Sequence, residues 1–170
     1  MYTHRSVVLQ MDFSAITDSL YVGTAPRSKD YDTLRELGIE LVLNVRIDRW
    51  PYRDLHNPAL RSLWLPTFDS AFIPIPLAVL RRGVVAALEV LEAGGKVYIH
   101  CTKGIHRSVA MAAAVLIAQG YSVDEATQLL KSRRAVADPD IWYIRRQIRR
   151  FARYWEKRTG LGTIQSLSDS

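Results

Sequence analysis

Residues 100–108 read HCTKGIHRS and contain the only cysteine of the 170-residue chain. A lone cysteine is usually an apolar filler of a core, but a filler needs neither a glycine three residues on nor an arginine six residues on. The run Val97–Ile99 before it reads as a strand, and the small apolar run after it, SVAMAAAVLIAQG, reads as a helix. A strand that runs into a tight loop and then a helix N-terminus turns several backbone N–H groups toward one point, where they can hold an anion. Gly104 permits the backbone conformation that such a loop requires. Arg107 enters at the start of the helix, where its planar fork can grip two phosphate oxygens. Thr102, Lys103, Gly104, Ile105 and His106 complete the cradle. Among these dipoles and beside Arg107, the Cys101 thiol should ionise to a nucleophile. Ser108 can donate a hydrogen bond to that sulfur and help it leave, and His100 reads as a structural brace. With one cysteine and four scattered histidines there is no zinc ligand cluster, so no metal and no other cofactor is expected.

The elements that must position this loop follow from the rest of the chain. Its length suits one domain with a real core, and 48% apolar with 24% charged residues is ordinary globular composition. Ile16–Gly23 reads as a strand, Ser28–Leu37 as a short helix closed by Gly38, and IELVLNV (39–45) as a strand buried on both faces. Residues 46–60 are polar and broken by proline, a long loop, before a short strand in RSLWLP. A proline-bracketed loop, TFDSAFIPIP, leads to a helix in LAVLRRGVVAALEVLEAGG and a buried strand in KVYIH. Helices are expected over about 107–119, 123–134 and 140–158, the second opened by a capping box of Ser122 and Glu125. In the third, Ile141, Ile144, Ile148, Phe151 and Trp155 form one apolar stripe that leaves the arginines outside. The pattern gives an α/β fold with a central, mostly parallel sheet of four to five strands flanked by helices. The expected organisation is an N-terminal extension (1–13), a catalytic domain (14–158) and a flexible tail (159–170). No apolar run reaches spanning length and no secretion signal precedes the domain, so a cytoplasmic location is expected, which a single cysteine suits. Net charge is +6, and the segment from Lys131 to Arg158 holds ten lysines and arginines against three acids. That asymmetry points to an anionic partner or to a solvated helix face.

The combination H-C-x5-R-S resembles the signature of the cysteine-dependent protein tyrosine phosphatase superfamily. The segments SLYVGTAPRSKDYDTLRELGIELVLNVR and SVDEATQLLKSRRAVADPDIWYIRRQIRRF resemble its small dual-specificity branch, and the resemblance runs over about residues 14–155. It implies a protein tyrosine phosphatase-like fold and phosphomonoester hydrolysis through a cysteinyl-phosphate. It also implies a general acid on a separate loop. Asp69, 32 residues before the cysteine, is the candidate, with Asp54 and Asp48 as competitors. A rhodanese also carries a cysteine loop after a strand but lacks these flanking segments. Lys103 and His106 make the loop more basic than the commonest dual-specificity form and are similar to a group that includes enzymes acting on inositol pyrophosphates. Asp140 stands where the family often has Asn, which puts that residue's support of the site in question. The leading expectation is therefore a phosphatase acting on phosphotyrosine, with phosphoserine and phosphothreonine as further substrates, in phosphorylated proteins. The alternative is a phosphoinositide or inositol-polyphosphate phosphatase, and a third reading is a non-catalytic phosphate-binding module. A monomer is expected, with no nucleic-acid partner, because no aromatic-interleaved basic motif is present.

Overall fold

The computed structural model describes residues 11–50 and 52–160. The strands are β1 (Phe13–Ala15), β2 (Leu20–Gly23), β3 (Ile39–Asn44), β4 (Arg61–Trp64) and β5 (Lys96–His100). The helices are α1 (Tyr31–Glu36), α2 (Leu77–Glu92), α3 (Arg107–Ala118), α4 (Val123–Arg133) and α5 (Trp142–Thr159), with a single 3-10 turn at Ser28–Asp30. The sheet order is β1-β2-β5-β3-β4, parallel throughout except for the antiparallel β1-β2 pair. Its strands β3 and β5 are covered on both faces beyond their first residues, and Leu41, Val42, Leu43, Val97, Tyr98 and Ile99 have no exposed surface. This is why β3 and β5 read as continuous apolar runs rather than alternating ones. The larger core lies between one sheet face and α2–α5, and the smaller one, around Tyr31, Leu34 and Tyr98, lies under α1.

Helix α3 carries the arginine of the loop, so its seating matters most. From Arg107 to Ile117 every residue is buried, and the small side chains of Ala110 and Ala112–Ala114 let neighbouring helices close on it. Gly83 on α2 is part of that fit, because a Cβ there would meet the Met111 sulfur at 2.6 Å. Helix α4 opens with the expected capping box, Ser122 Oγ accepting from the Glu125 N–H and the Glu125 carboxylate accepting from the Ser122 N–H. Helix α5 buries Ile144, Ile148 and Phe151 of the expected stripe and turns Arg146, Arg149 and Arg153 outward.

Two elements differ from the sequence reading. The first strand is a hairpin, not one strand over Ile16–Gly23. Thr17 Oγ1 accepts from the N–H groups of Ser19 and Leu20, and the Ile16 N–H donates to the Leu20 carbonyl. The hydroxyl makes a turn out of a stretch whose β-branched content reads as extended. The helix from Ser28 splits into the 3-10 turn and α1. Of the expected extension and tail, residues 1–10 and 161–170 lie outside the described residues. All four parallel strands end on the same edge of the sheet, and the loops after them gather there, where α/β sheets bind ligands.

Candidate active site

The loop after β5 closes around the Cys101 sulfur. Cys101 is 2% exposed, and its Sγ lies 3.2 Å from Ser108 Oγ and accepts the Gly104 N–H at 3.2 Å. Burial alone would raise the thiol pKa. Hydrogen bonds from the Ser108 hydroxyl, the Ser108 N–H and the Gly104 N–H, with the charge of Arg107, outweigh it and hold the thiol below its ordinary value. Gly104 has φ +67°, and a Cβ there would lie 2.7 Å from the Gly23 carbonyl oxygen and 2.8 Å from the Arg134 guanidinium. Both the turn and the close approach therefore require glycine.

What keeps the N–H groups facing inward is the capture of the loop's carbonyls from outside. Arg134, 2% exposed, donates from Nε to the Gly104 carbonyl at 2.8 Å and from one terminal nitrogen to the Lys103 carbonyl at 3.2 Å. The Asp138 N–H donates to the Ile105 carbonyl at 3.2 Å. Three consecutive carbonyls are thus tied to the outer wall, and the alternate face of each peptide is left for an anion. Arg134 is itself anchored to Asp12 (2.9 Å), just before β1, and to Ser14 (3.3 Å) on β1.

Arg107 lies beneath the opposite rim. It donates to the Thr67 carbonyl at 3.0 Å and to Thr102 Oγ1 at 3.1 Å, while its buried Nε has no hydrogen-bond partner among the described residues. Asp69 Oδ2 lies 3.8 Å from that nitrogen. The Asp69 carboxylate accepts the Tyr143 hydroxyl at 3.2 Å, and His106 Nδ1 is 3.4–3.5 Å from it and 3.2 Å from the same hydroxyl. Burial first, then the Asp69 charge, pushes the Tyr143 phenol up to about 12, so it stays a neutral donor. Asp69, Cys101, Thr102, Lys103, Ile105, His106 and Arg107 line one open depression of about 330 Å³.

The two competing aspartates are occupied elsewhere. Asp54, 3% exposed, accepts from the N–H groups of His56 and Leu60 and pairs with Arg35, and these contacts outweigh burial and hold it strongly ionised. Asp48 is gripped by both ends of the Arg46 fork, which lowers its pKa, and lies 3.6 Å from Arg107. His100 is buried, its Nδ1 3.3 Å from the Cys101 carbonyl, and burial pushes its pKa down to about 4, leaving a neutral brace. The Lys103 side chain is exposed at the rim. Asp140 does not reach the loop; it pairs with Lys131 and Arg145, and the support comes from Arg134 and Asp138 instead. Among the described residues no group of three His, Cys, Asp or Glu side chains could hold a metal ion.

A family model described as the dual specificity phosphatase catalytic domain matches residues 20–153. The chain belongs to the dual-specificity phosphatase family. Its domain is that of a cysteine-dependent protein-tyrosine/dual-specificity phosphatase. It is 32% identical over 131 residues to the protein-tyrosine-phosphatase MKP1 of Arabidopsis thaliana, covering 76% of this chain and 16% of that protein. It is 30% identical over 132 residues to mouse dual specificity phosphatase 28, covering 77% and 78% of the two chains. The crystal structure of a mouse dual specificity phosphatase complexed with zinc tungstate superposes with a TM-score of 0.76 at 27% identity, over 86% of this chain and 89% of that one.

Three participants in this dual-specificity phosphatase site escape a reading of the sequence. Arg134 follows the exposed Arg133 at the end of α4, where helical periodicity no longer separates a buried arginine from a solvated one. Tyr143 carries a weak signal, an aromatic residue off the apolar stripe and among arginines. Thr67 contributes only its main-chain carbonyl, held in place by its hydroxyl on the Val45 carbonyl at 2.6 Å, and a main-chain role leaves no trace in residue type.

Proposed function

We propose that this protein hydrolyses phosphotyrosine, and phosphoserine and phosphothreonine with it, in phosphorylated proteins through a cysteinyl-phosphate. The observation that carries the reading is a thiol, accepting the Gly104 N–H and held below its ordinary pKa, in the depression that also holds the Asp69 carboxylate and the buried Arg107 guanidinium, whose Nε has no hydrogen-bond partner among the described residues. In the first step the Cys101 thiolate attacks phosphorus along the axis away from the leaving oxygen. The loop N–H groups and Arg107 hold the non-bridging oxygens, where charge builds in the transition state. As the P–O bond breaks, Asp69, protonated at this stage, gives its proton to the leaving oxygen. In the second step Asp69, now a carboxylate, takes a proton from water as the water oxygen attacks phosphorus. The P–S bond breaks, the Ser108 hydroxyl stabilises the departing thiolate, and inorganic phosphate is released. Thr102, Lys103, Gly104, Ile105 and His106 form the cradle, and no metal or other cofactor takes part.

Asp69 is preferred to Asp48 and Asp54 because it lines the depression that holds Cys101, whereas Asp54 is taken up by the His56 and Leu60 N–H groups and Arg35, and Asp48 by the Arg46 fork. The domain proposed to do this work spans residues 14–158, acts as a monomer, and is located in the cytoplasm, where a reducing milieu suits a reactive lone thiol. No helix among the described residues is long and apolar enough to cross a membrane.

The test is phosphate release from phosphotyrosine, phosphothreonine and phosphoserine peptides, phosphoinositides and inositol polyphosphates, with Cys101→Ser protein as the blank. Turnover of the phosphotyrosine peptide that vanishes in Cys101→Ser, while vanadate-sized anions still bind, is the expected result. Preference for the multiply phosphorylated inositols would replace the protein substrate with the alternative. Turnover by Cys101→Ser close to that of the parent would refute the cysteinyl mechanism.

A further inference from the structure

Helix α5 carries more cation than its packing needs. Trp142, Arg145, Arg146, Arg149 and Arg153, at successive steps of three, one, three and four, line an open depression of about 350 Å³. A second depression, of about 370 Å³, shares Trp142 and Arg146 with the first and adds Arg150, Tyr143 and Phe72. Tyr143 is also the residue whose hydroxyl touches Asp69 and His106, which line the catalytic depression, so the second depression lies next to it. The three lie in a row from beside the Cys101 loop along the first three turns of α5, a basic track.

Among the described residues, the only carboxylate paired with any of these arginines is Asp140, 3.9 Å from Arg145 and already held by Lys131. Arginines four apart, such as Arg145 with Arg149 and Arg149 with Arg153, repel one another on a helix, whereas interspersed acids would stabilise it. The fold therefore tolerates this bunching without gaining from it. The cations are arginines, whose forks match carboxylates and phosphates. Beside them stand two aromatic residues in solvent, Trp142 at 60% and Phe72 at 92% exposure.

We propose that this track is a docking site for an acidic segment of the phosphoprotein substrate itself, carrying carboxylates or further phosphates a few residues from the phosphorylated side chain. This rests on the protein-phosphatase reading above. From Tyr143 to Arg153 the helix rises about 15 Å, which an extended peptide covers in roughly four or five residues. Acids two to five positions from the phosphorylated residue therefore reach Arg146, Arg149 and Arg153. The track is a row of depressions that ends beside the catalytic one, which a peptide can follow and a flat lipid surface cannot.

The experiment uses the full chain and four phosphotyrosine peptides of one length: acidic residues C-terminal to the phosphotyrosine, acidic residues N-terminal to it, the same positions as Gln, and the same positions as Lys. One acidic arrangement is expected to raise kcat/KM at least tenfold over the Gln peptide, through KM and at low salt only. Arg149→Gln/Arg153→Gln should abolish that gain and leave turnover of a small aryl phosphate unchanged. Arg149→Glu/Arg153→Glu should reverse the preference toward the Lys peptide, a result that loss of folding cannot imitate. Equal kcat/KM for acidic and Gln peptides, or a gain that survives Arg149→Gln/Arg153→Gln, would overturn the docking site. So would loss of phosphatidylserine-vesicle binding in that variant with peptide turnover unaffected, which would assign the face to a membrane. Failure of every peptide while inositol polyphosphates are hydrolysed would instead overturn the protein-substrate reading.

Discussion

Arg134→Met removes the guanidinium that ties down the outer side of the catalytic loop while filling similar volume. Two loop carbonyls, those of Lys103 and Gly104, lose their donor. A hydrogen bond to a charged group contributes about 1.5–3 kcal/mol, and a buried carbonyl left unpaired costs a similar amount. The Asp12 partner is 64% exposed and returns to water on release, so that pair adds less than about 1 kcal/mol. The expected loss is about 3–5 kcal/mol of stability. With a urea slope of about 2 kcal/mol/M for a domain of this size, the unfolding midpoint falls by roughly 1.5–2.5 M. In the variant that remains folded, the Gly104 peptide is free to rotate and its N–H no longer points at the sulfur. The thiol pKa, read from the pH dependence of iodoacetamide alkylation, should climb toward the usual thiol range, and kcat/KM should fall by roughly tenfold for each unit. Arg134→Lys keeps the charge near Asp12 but has no fork to span two carbonyls, so it should show most of the same defect. A midpoint within about 0.5 M of the parent, together with a superimposable thiol titration, would refute this account of how the loop is held.

Three further outcomes are expected. Asp69→Asn should lower kcat on phosphotyrosine peptides by about 10²–10³-fold, and by much less on an aryl phosphate whose leaving oxygen needs no proton; equal losses on both would remove Asp69 from the acid role. His100, with its pKa depressed to about 4, binds its proton later than the unfolded chain does as pH falls. Its contribution, at most about 3 kcal/mol, is whole above about pH 6.5 and drains away toward pH 4; an imidazole titration by NMR with a midpoint near 6.5 would contradict this. Mild peroxide should convert Cys101 to a sulfenic acid or a sulfenamide, because the chain has no second cysteine to form an internal disulfide; mass spectrometry of the oxidised protein decides it.

The nucleophile and its arginine are legible in the sequence because one strand, one loop and one helix start hold both, and local chemistry fixes their relation. The sheet was legible for a similar reason, since strands buried on both faces announce themselves as unbroken apolar runs such as IELVLNV. Asp69 is a harder case. Nothing in LPTFDSAFIP separates an acid catalyst from a turn-former, and only its relation to Cys101 singled it out. Arg134 was not legible at all. Its partners are the carbonyls of residues 103 and 104 and the side chain of Asp12, 122 positions away, and main-chain partners leave no mark on residue identity. The β1-β2 hairpin escaped because a single threonine hydroxyl, at Thr17, decides the turn.

The tie between Asp12, Arg134 and the loop also sets a clock on the enzyme's birth. Residues 101–107 are synthesised well before Arg134, which follows Arg107 by 27 positions. At a ribosomal rate of about 5–20 residues per second, that interval lasts between about one and several seconds. Throughout it the cysteine loop lacks its outer support, because the Lys103 and Gly104 carbonyls have no Arg134 to bind. The loop therefore gains its full support only when both ends of the domain meet. A nascent or prematurely terminated chain that stops short of Arg134 carries the whole signature sequence and yet lacks the side chain that holds the loop's carbonyls outward.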